Sequence, residues 1–335
     1  MTAPASYGAD QTGLISGFLF EPGVPARPVT GEEAATWLAS APGDDERFVW
    51  LHFNMAHAAT EKWIHDSLAL EEAFFEALHT GSRSTRIEQI DDGLIAVIND
   101  VLFEFAMDAS EISTLWAHVS TRALITVRRH PLRSIDLLRA AVRSGTAFRS
   151  SMALLVHLLR DQGDVLVEIV REVTARVDSI EDLMLDGRSG HRRAELGTLR
   201  RMLVKLRRVL APEPSAMFRL LNRPPDWIGS EDIVDLSQAT EEFSLVLSDI
   251  AALHERIKLI QEEIAAHINE QDNRSLFTLT TVTVLALPIN LVASLLGMNV
   301  GGIPLAGNES GFLIALGVVI VATLLAARVA IRARR

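Results

Sequence analysis

The sequence predicts an α/β domain on the cytoplasmic side, then a helical layer, a long stalk helix and two C-terminal transmembrane helices. Three observations carry this. Leu276 to Asn308 contains no charged residue, and Gly311 to Ala327 repeats the pattern. Two such spans joined by a short polar turn form a helical hairpin in a bilayer, where each backbone must satisfy its own polar groups. Upstream, Leu236, Phe243, Ile250, Ile257 and Ile264 recur every seven residues, with Ala239, Val246, Leu253 and Ile260 between them. That is the stripe of a long packed helix. Near the N-terminus, the run Phe48 to Phe53 is apolar and short enough for a strand.

The divisions follow from composition. Residues 1–131 are assigned to the α/β domain, 132–225 to the helical layer and 226–275 to the stalk. The first span is 276–296, the outer loop 297–310, the second span 311–331 and the basic tail 332–335. In the first division, Leu94–Ile98 and Val101–Phe105 flank Asn99-Asp100 as a hairpin. Ala123–Val127 is a further strand, and Thr60–Leu78 reads as one helix that Gly81 to Thr85 ends. In the second, Ser151–Leu159 and Val165–Leu185 carry apolar residues at helical steps, and residues 186–190 break the pattern. Leu196–Leu210 resumes it with Arg200, Arg201, Lys205, Arg207 and Arg208 on one face. A solvated or salt-bridged face is the ordinary reading of such a run; contact with nucleic acid or lipid is the other. Four prolines between Ala211 and Pro225 suggest a linker.

A helix then starts near Ser230, with Glu231 in its first turn. No proline or glycine interrupts it before Pro288. One helix to Leu296 would be on the order of 100 Å long. Its apolar stripe needs a partner, either the preceding helices or copies of itself.

The chain has 335 residues, 32 Lys+Arg against 43 Asp+Glu, and a net charge of -11. An acidic balance argues against nucleic-acid partners and suits a protein that gathers cations. There is no cysteine, so thiolate metal ligands and disulfides are excluded. Met1 to Gly23 carries Asp10 and Glu21 and lacks the basic flank and apolar core of a signal peptide. Arg332, Arg334 and Arg335 place the tail in the cytoplasm. Two spans then return the N-terminal part to the same side. No catalytic constellation is evident, and no enzyme activity is expected.

The two spans differ in chemistry. The second is almost wholly Val, Ile, Leu and Ala. In the first, Leu276, Thr280, Thr283, Leu287, Asn290 and Ser294 follow at steps of four and three and share one face. An unpaired amide in hydrocarbon is costly, so Asn290 must face protein or water. Periodicity leaves two readings open: a pore stripe with two leucine constrictions, or polar groups that hold helices together. A chain with two spans encloses a pore only as a symmetric oligomer.

Gly297-Met298-Asn299 directly after the first span, with a second span close behind, resembles the CorA superfamily of divalent-cation transporters. Asn273 to Thr280 and Leu287-Pro288 fit the same pattern. The continuation Val300-Gly301-Gly302-Ile303-Pro304 is most similar to the ZntB zinc-transporter branch. The Pro-Glu pair of the magnesium branch is missing, and Glu309 is the only loop acid. The detailed match covers about Asn269 to Arg328.

The resemblance implies a homopentamer in a bacterial inner membrane, with both termini cytoplasmic. Its partners would be itself, the bilayer and hydrated divalent cations, with no nucleic acid and no tightly bound cofactor. The cargo would be a divalent cation, zinc in preference to magnesium, taken up with a proton gradient. The alternatives are a magnesium or cobalt channel of the same architecture and, from another class, a membrane-anchored structural or sensing protein. Asn299 would form an outer-mouth ring, flanked by Gly297 and Met298, that receives a cation with its water shell. Neutral amide oxygens suit that task because exit stays easy, and Gly297 would allow close approach or an unusual backbone angle. Asn273, Thr280, Thr283 and Asn290 fall on pore-lining positions of the family. Glu309 in the loop, and Glu262, Glu270 and Asp272 on the stalk, would attract cations. His254 and His267 are candidates for metal or proton handling, although His267 continues the heptad stripe, where a packed neutral histidine is the ordinary expectation.

Overall fold

The computed structural model describes residues 8–40, 46–79, 84–103, 111–185, 192–297 and 310–332. It divides into two compact units, Met1–Ile260 and Gln261–Arg335. The first is built on a sheet of β1 (Leu14–Glu21), β2 (Val24–Pro28), β3 (Phe48–Asn54), β4 (Arg86–Ile90), β5 (Gly93–Val101), β6 (Ile112–Val119) and β7 (Ala123–Arg128). Their order is β2-β1-β3-β7-β6-β5-β4. All neighbours are antiparallel except β3 and β7, which run parallel with Val49 opposite Ala123 and Asn54 opposite Arg128.

Three helices accompany the sheet: α1 (Gly31–Ala39), α2 (Thr60–Ser67) and α3 (Glu72–His79). Leu51, Phe53, Val97 and Ile125 form one core with Ile64, Phe74 and Leu78. The capping box Thr30/Glu33 starts α1: Glu33 N–H donates to Thr30 Oγ1 (3.2 Å) and Thr30 N–H to Glu33 Oε2 (3.0 Å). The expected single helix over Thr60–Leu78 is two, because Leu68 to Glu71 leave helical geometry.

Asn99-Asp100 is not a turn. β5 runs through both and pairs with β6, with Asn99 opposite Thr114 and Asp100 opposite Ser113. Their side chains are buried and satisfied from afar. Thr114 Oγ1 donates to Asn99 Oδ1 (2.9 Å), Asn99 Nδ2 donates to Thr85 Oγ1 (3.0 Å), and Ser134 N–H donates to Asp100 Oδ2 (3.0 Å).

The remaining helices of this unit are α4 (Arg133–Arg143), α5 (Ser151–Leu185), α6 (Arg192–Leu210), α7 (Pro212–Asn222) and the first part of α8 (Ser230–Leu296). The proline-rich segment is helical rather than a linker. Pro212 occupies the first turn of α7, where no backbone donor is required. On α8 the whole heptad stripe from Leu236 to Ile264 is buried within one chain. Up to Ile260, within the first unit, its partners are therefore the chain's own helices. Arg256 joins α8 to Asp178 (2.7 Å) and Glu181 of α5, and Arg160 of α5 reaches Asp235 (3.2 Å). Val234, Leu245 and Leu259 stay exposed on α8.

The second unit contains the apolar part of α8 and α9 (Gly311–Arg332). Each is long and apolar enough to cross a membrane. α8 runs without a break from the stalk into its apolar part, and the apolar stretch of α9 runs over Gly311–Arg328.

Candidate functional site

In the apolar part of α8, Thr281, Leu285, Pro288 and Val292 are partly covered. They recur at steps of four, three and four, so they form one face; only Ala286 departs from it. On α9 the partly covered residues are Ala315, Val319, Ala322, Thr323, Ala326 and Ala327. Most are small, as at sites where membrane helices approach closely.

The stripe Leu276, Thr280, Thr283, Leu287, Asn290 and Ser294 lies on the other side of α8, centred roughly 150° away at 100° per residue. Every member is exposed, Leu276 at 60% and Leu287 at 59%. Asn273 is exposed at its edge. Among the described residues the stripe is not covered by protein.

The hydroxyls of the first span are used unequally. Thr278, Thr281 and Thr283 donate to the carbonyls of Arg274, Phe277 and Leu279, at 2.9, 2.8 and 2.9 Å. Those bonds remove the polar cost of threonine in an apolar helix. Thr280, Asn290 and Ser294 have no such partner among the described residues, which leaves their polar groups available to water, an ion or a neighbouring chain.

Gly297 closes the helix, its N–H donating to Ala293 O (2.9 Å). Its φ is not in the left-handed region, but an added Cβ would stand 3.0 Å from Ala293 O. Close approach, not an unusual angle, is what glycine provides there. Met298, Asn299 and Glu309 lie outside the described residues.

The stalk candidates are not brought together. His254 is largely buried, with Nε2 3.3 Å from Arg200 Nε and Nδ1 3.5 Å from Glu255. His267 is exposed rather than packed, because burial of the heptad stops at Ile264; its nearest acid is Glu263 at 3.9 Å. Glu270 is held by Arg274 (2.6 Å), and Glu262 and Asp272 are exposed. Among the described residues no three His, Asp or Glu side chains converge as metal ligands. The basic face of α6 is mostly solvated, with Arg201, Arg207 and Arg208 exposed.

The first unit also has an open cavity of about 410 Å³ lined in part by Glu21, Phe48, Arg149, His157, Arg160 and Asp235. Its arginines are committed: Arg149 to Asp232 (2.8 Å) and Asp235, Arg160 to Asp235. Burial, then Arg160, pushes the His157 imidazole down.

Sequence reasoning missed a set of buried acids in this unit. Burial pushes Asp100 up to about 6 against the bonds from Ser134. It pushes Asp161 up to about 7, with Asp164 and Asp100 adding to the rise. Glu213 of α7 is 1% exposed. Nothing local marks Glu213, whose partners come from other elements.

A family model described as CorA-like Mg2+ transporter protein matches residues 45–332. The chain is 27% identical over 316 residues to the divalent cation transporter CmaX of Pseudomonas aeruginosa, covering 93% of each. It is 24% identical over 267 residues to the zinc transport protein ZntB of Yersinia enterocolitica, covering 80% of this chain and 81% of that one. The ZntB branch is thus matched but not singled out, since CmaX matches more of the chain at higher identity. Among solved structures, full-length CmaX superposes with a TM-score of 0.84 at 24% identity, covering 98% of this chain and all of that one. The CorA magnesium transporter from Methanocaldococcus jannaschii gives 0.76 at 16% identity, covering 93% and 96%. At these identities the structures establish a common fold.

Proposed function

Because the chain belongs to the CorA-like Mg2+ transporter family, we propose that it carries divalent cations across a bacterial inner membrane. The observation that carries the proposal is the uncovered polar stripe of α8. The helix turns Thr281, Leu285, Pro288 and Val292 toward cover, and leaves Thr280, Asn290 and Ser294 exposed among the described residues. Copies arranged around an axis, five in our reading, would line a water-filled path with these groups and with Thr283 and Asn273. Leu276 and Leu287 would be its narrow apolar points. Asn299 would receive the hydrated ion at the outer mouth between Gly297, Met298 and the loop acid Glu309. Glu262, Glu270 and Asp272 would draw cations to the inner side. His254 and His267 would exchange metal or protons only through contacts between copies.

For cargo we propose zinc, taken up with a proton gradient, supported by the loop Val300 to Pro304 and by the likeness to ZntB. The family description and the likeness to CmaX favour a second reading, a channel for magnesium or other divalent cations. Purified protein in vesicles separates them. Zinc flux that rises with an imposed proton gradient supports the first; passive magnesium flux indifferent to that gradient replaces it with the second. If no divalent cation moves, the chain is a membrane-anchored structural or sensing protein and both readings fall.

A further inference from the structure

The buried acids of the first unit have no part in the cation path. Glu213 stands in the first turn of α7 with its carboxyl inside the protein, between β5 and α5. Asn99 N–H of β5 donates to its Oε1 (3.3 Å). Gln162 Nε2 of α5 lies 3.1 and 3.0 Å from its two oxygens and also donates to Asn99 O (2.6 Å). Thr85, just before β4, supplies a third donor. One carboxyl therefore ties α7 to β5, α5 and the start of β4, and every donor is neutral.

The acid Asp100 acts on it directly, and Asp100 in turn lies among further charged groups. From β5 comes Asp100, 2% exposed, with Ser134 and Arg133 of α4 around it. Arg133 is shared with Glu168 of α5 (2.6 Å). From α5 comes Asp161, beside Asp164 and Asp100, with His157 at 3.7 Å. A negative Glu213 would be a further buried anion in this set, unmatched by a cation among its donors.

We propose that Glu213 is a proton-binding site: the neutral carboxyl is accommodated where α7, the sheet and α5 meet, and loss of the proton leaves an uncompensated buried anion that destabilises this joint. Burial pushes the group up to about 8, against the bonds from Gln162 and Asn99, with Asp100 adding to the rise and Thr85 opposing it. The folded value lies above the ordinary 4.5, so the folded state binds the proton more tightly than the unfolded chain. The stabilisation is complete below the unfolded value and is lost as pH rises toward about 8. Asp161 and Asp100 act in the same direction at lower pH, with values of about 7 and about 6.

The test uses the full-length protein in detergent with isotope-labelled glutamate carboxyls, titrated by infrared difference spectroscopy. The label separates glutamate from the neighbouring aspartates. The expected result is a protonated glutamic acid band at neutral pH that disappears on mild alkalinisation and is missing in Glu213→Gln. No such band in the wild type, or an unchanged band in the variant, overturns the proposal. Melting measured over a wider range reads the joint: the wild type loses several degrees as pH rises from the ordinary 4.5 toward about 8, and Glu213→Gln loses less. Equal losses overturn the joint. If Glu213→Gln does not fold, the wild-type titration alone decides.

Discussion

Thr280 and Thr283 sit three residues apart on the uncovered side of α8, yet their hydroxyls are differently engaged. Thr283 is bonded to Leu279 O, whereas Thr280 has no partner among the described residues. Thr280→Val should therefore slow cation flux more than Thr283→Val, measured in vesicles with both proteins at equal density. Asn290 carries the only amide of the stripe, and Asn290→Leu should cost about tenfold or more in flux, about 1.4 kcal/mol in barrier. Unchanged flux in Thr280→Val and Asn290→Leu would return these residues to the helix-packing reading. The stripe was legible because polar residues in an apolar span stand out at fixed steps. Asn99 and Asp100 were misread for the opposite reason. A polar pair between apolar runs looks like a turn, and only Thr85, Thr114 and Ser134, distant in sequence, make it a buried strand pair. Glu213 was hidden among prolines.

At the scale of elements, α8 was readable because its period never stops. The sequence left open which partner the heptad stripe has, and burial within one chain answers it. Phe243, 1% exposed, should be expensive to truncate: Phe243→Ala is expected to destabilise the first unit by about 3–5 kcal/mol, read from chemical denaturation. Leu245 and Leu259, at 66% and 63% exposed, should behave differently. Changing both to Gln should leave each chain folded, at a cost within about 0.5 kcal/mol per site, while native mass spectrometry shows smaller assemblies if copies meet along that side. The strands β1, β2, β4 and β6 escaped sequence reading, and so did α1. Glu88 and Gln89 make much of β4 exposed, and the short β2 is an edge strand with a proline at its end. The Thr60–Leu78 segment was read as one helix because neither glycine nor proline marks its break.

For the whole molecule, the fold class was visible in the order of its parts: mixed α/β, helical, one long helix, two apolar helices. The choice of cargo was not, because metal preference in a neutral path rests on hydration and spacing, and no soft ligand set announces zinc. Topology is directly testable. The chain has no cysteine, so a single one introduced at Ser310 or at Arg332 reports alone. A membrane-impermeant thiol reagent added to whole cells should label the first and not the second. The reverse pattern would invert the orientation and, with it, the direction assigned to the mouth at Asn299.

The lone parallel join, β3 against β7, governs how this protein is made. Val49 cannot meet Ala123 until the ribosome has released the whole stretch between them. Until then β1, β2 and β3 can form only an antiparallel sheet in the order β2-β1-β3, with the β3 edge unguarded, a template for pairing with other chains. Shielding during synthesis is therefore needed earliest at β3, well before either apolar helix leaves the exit tunnel.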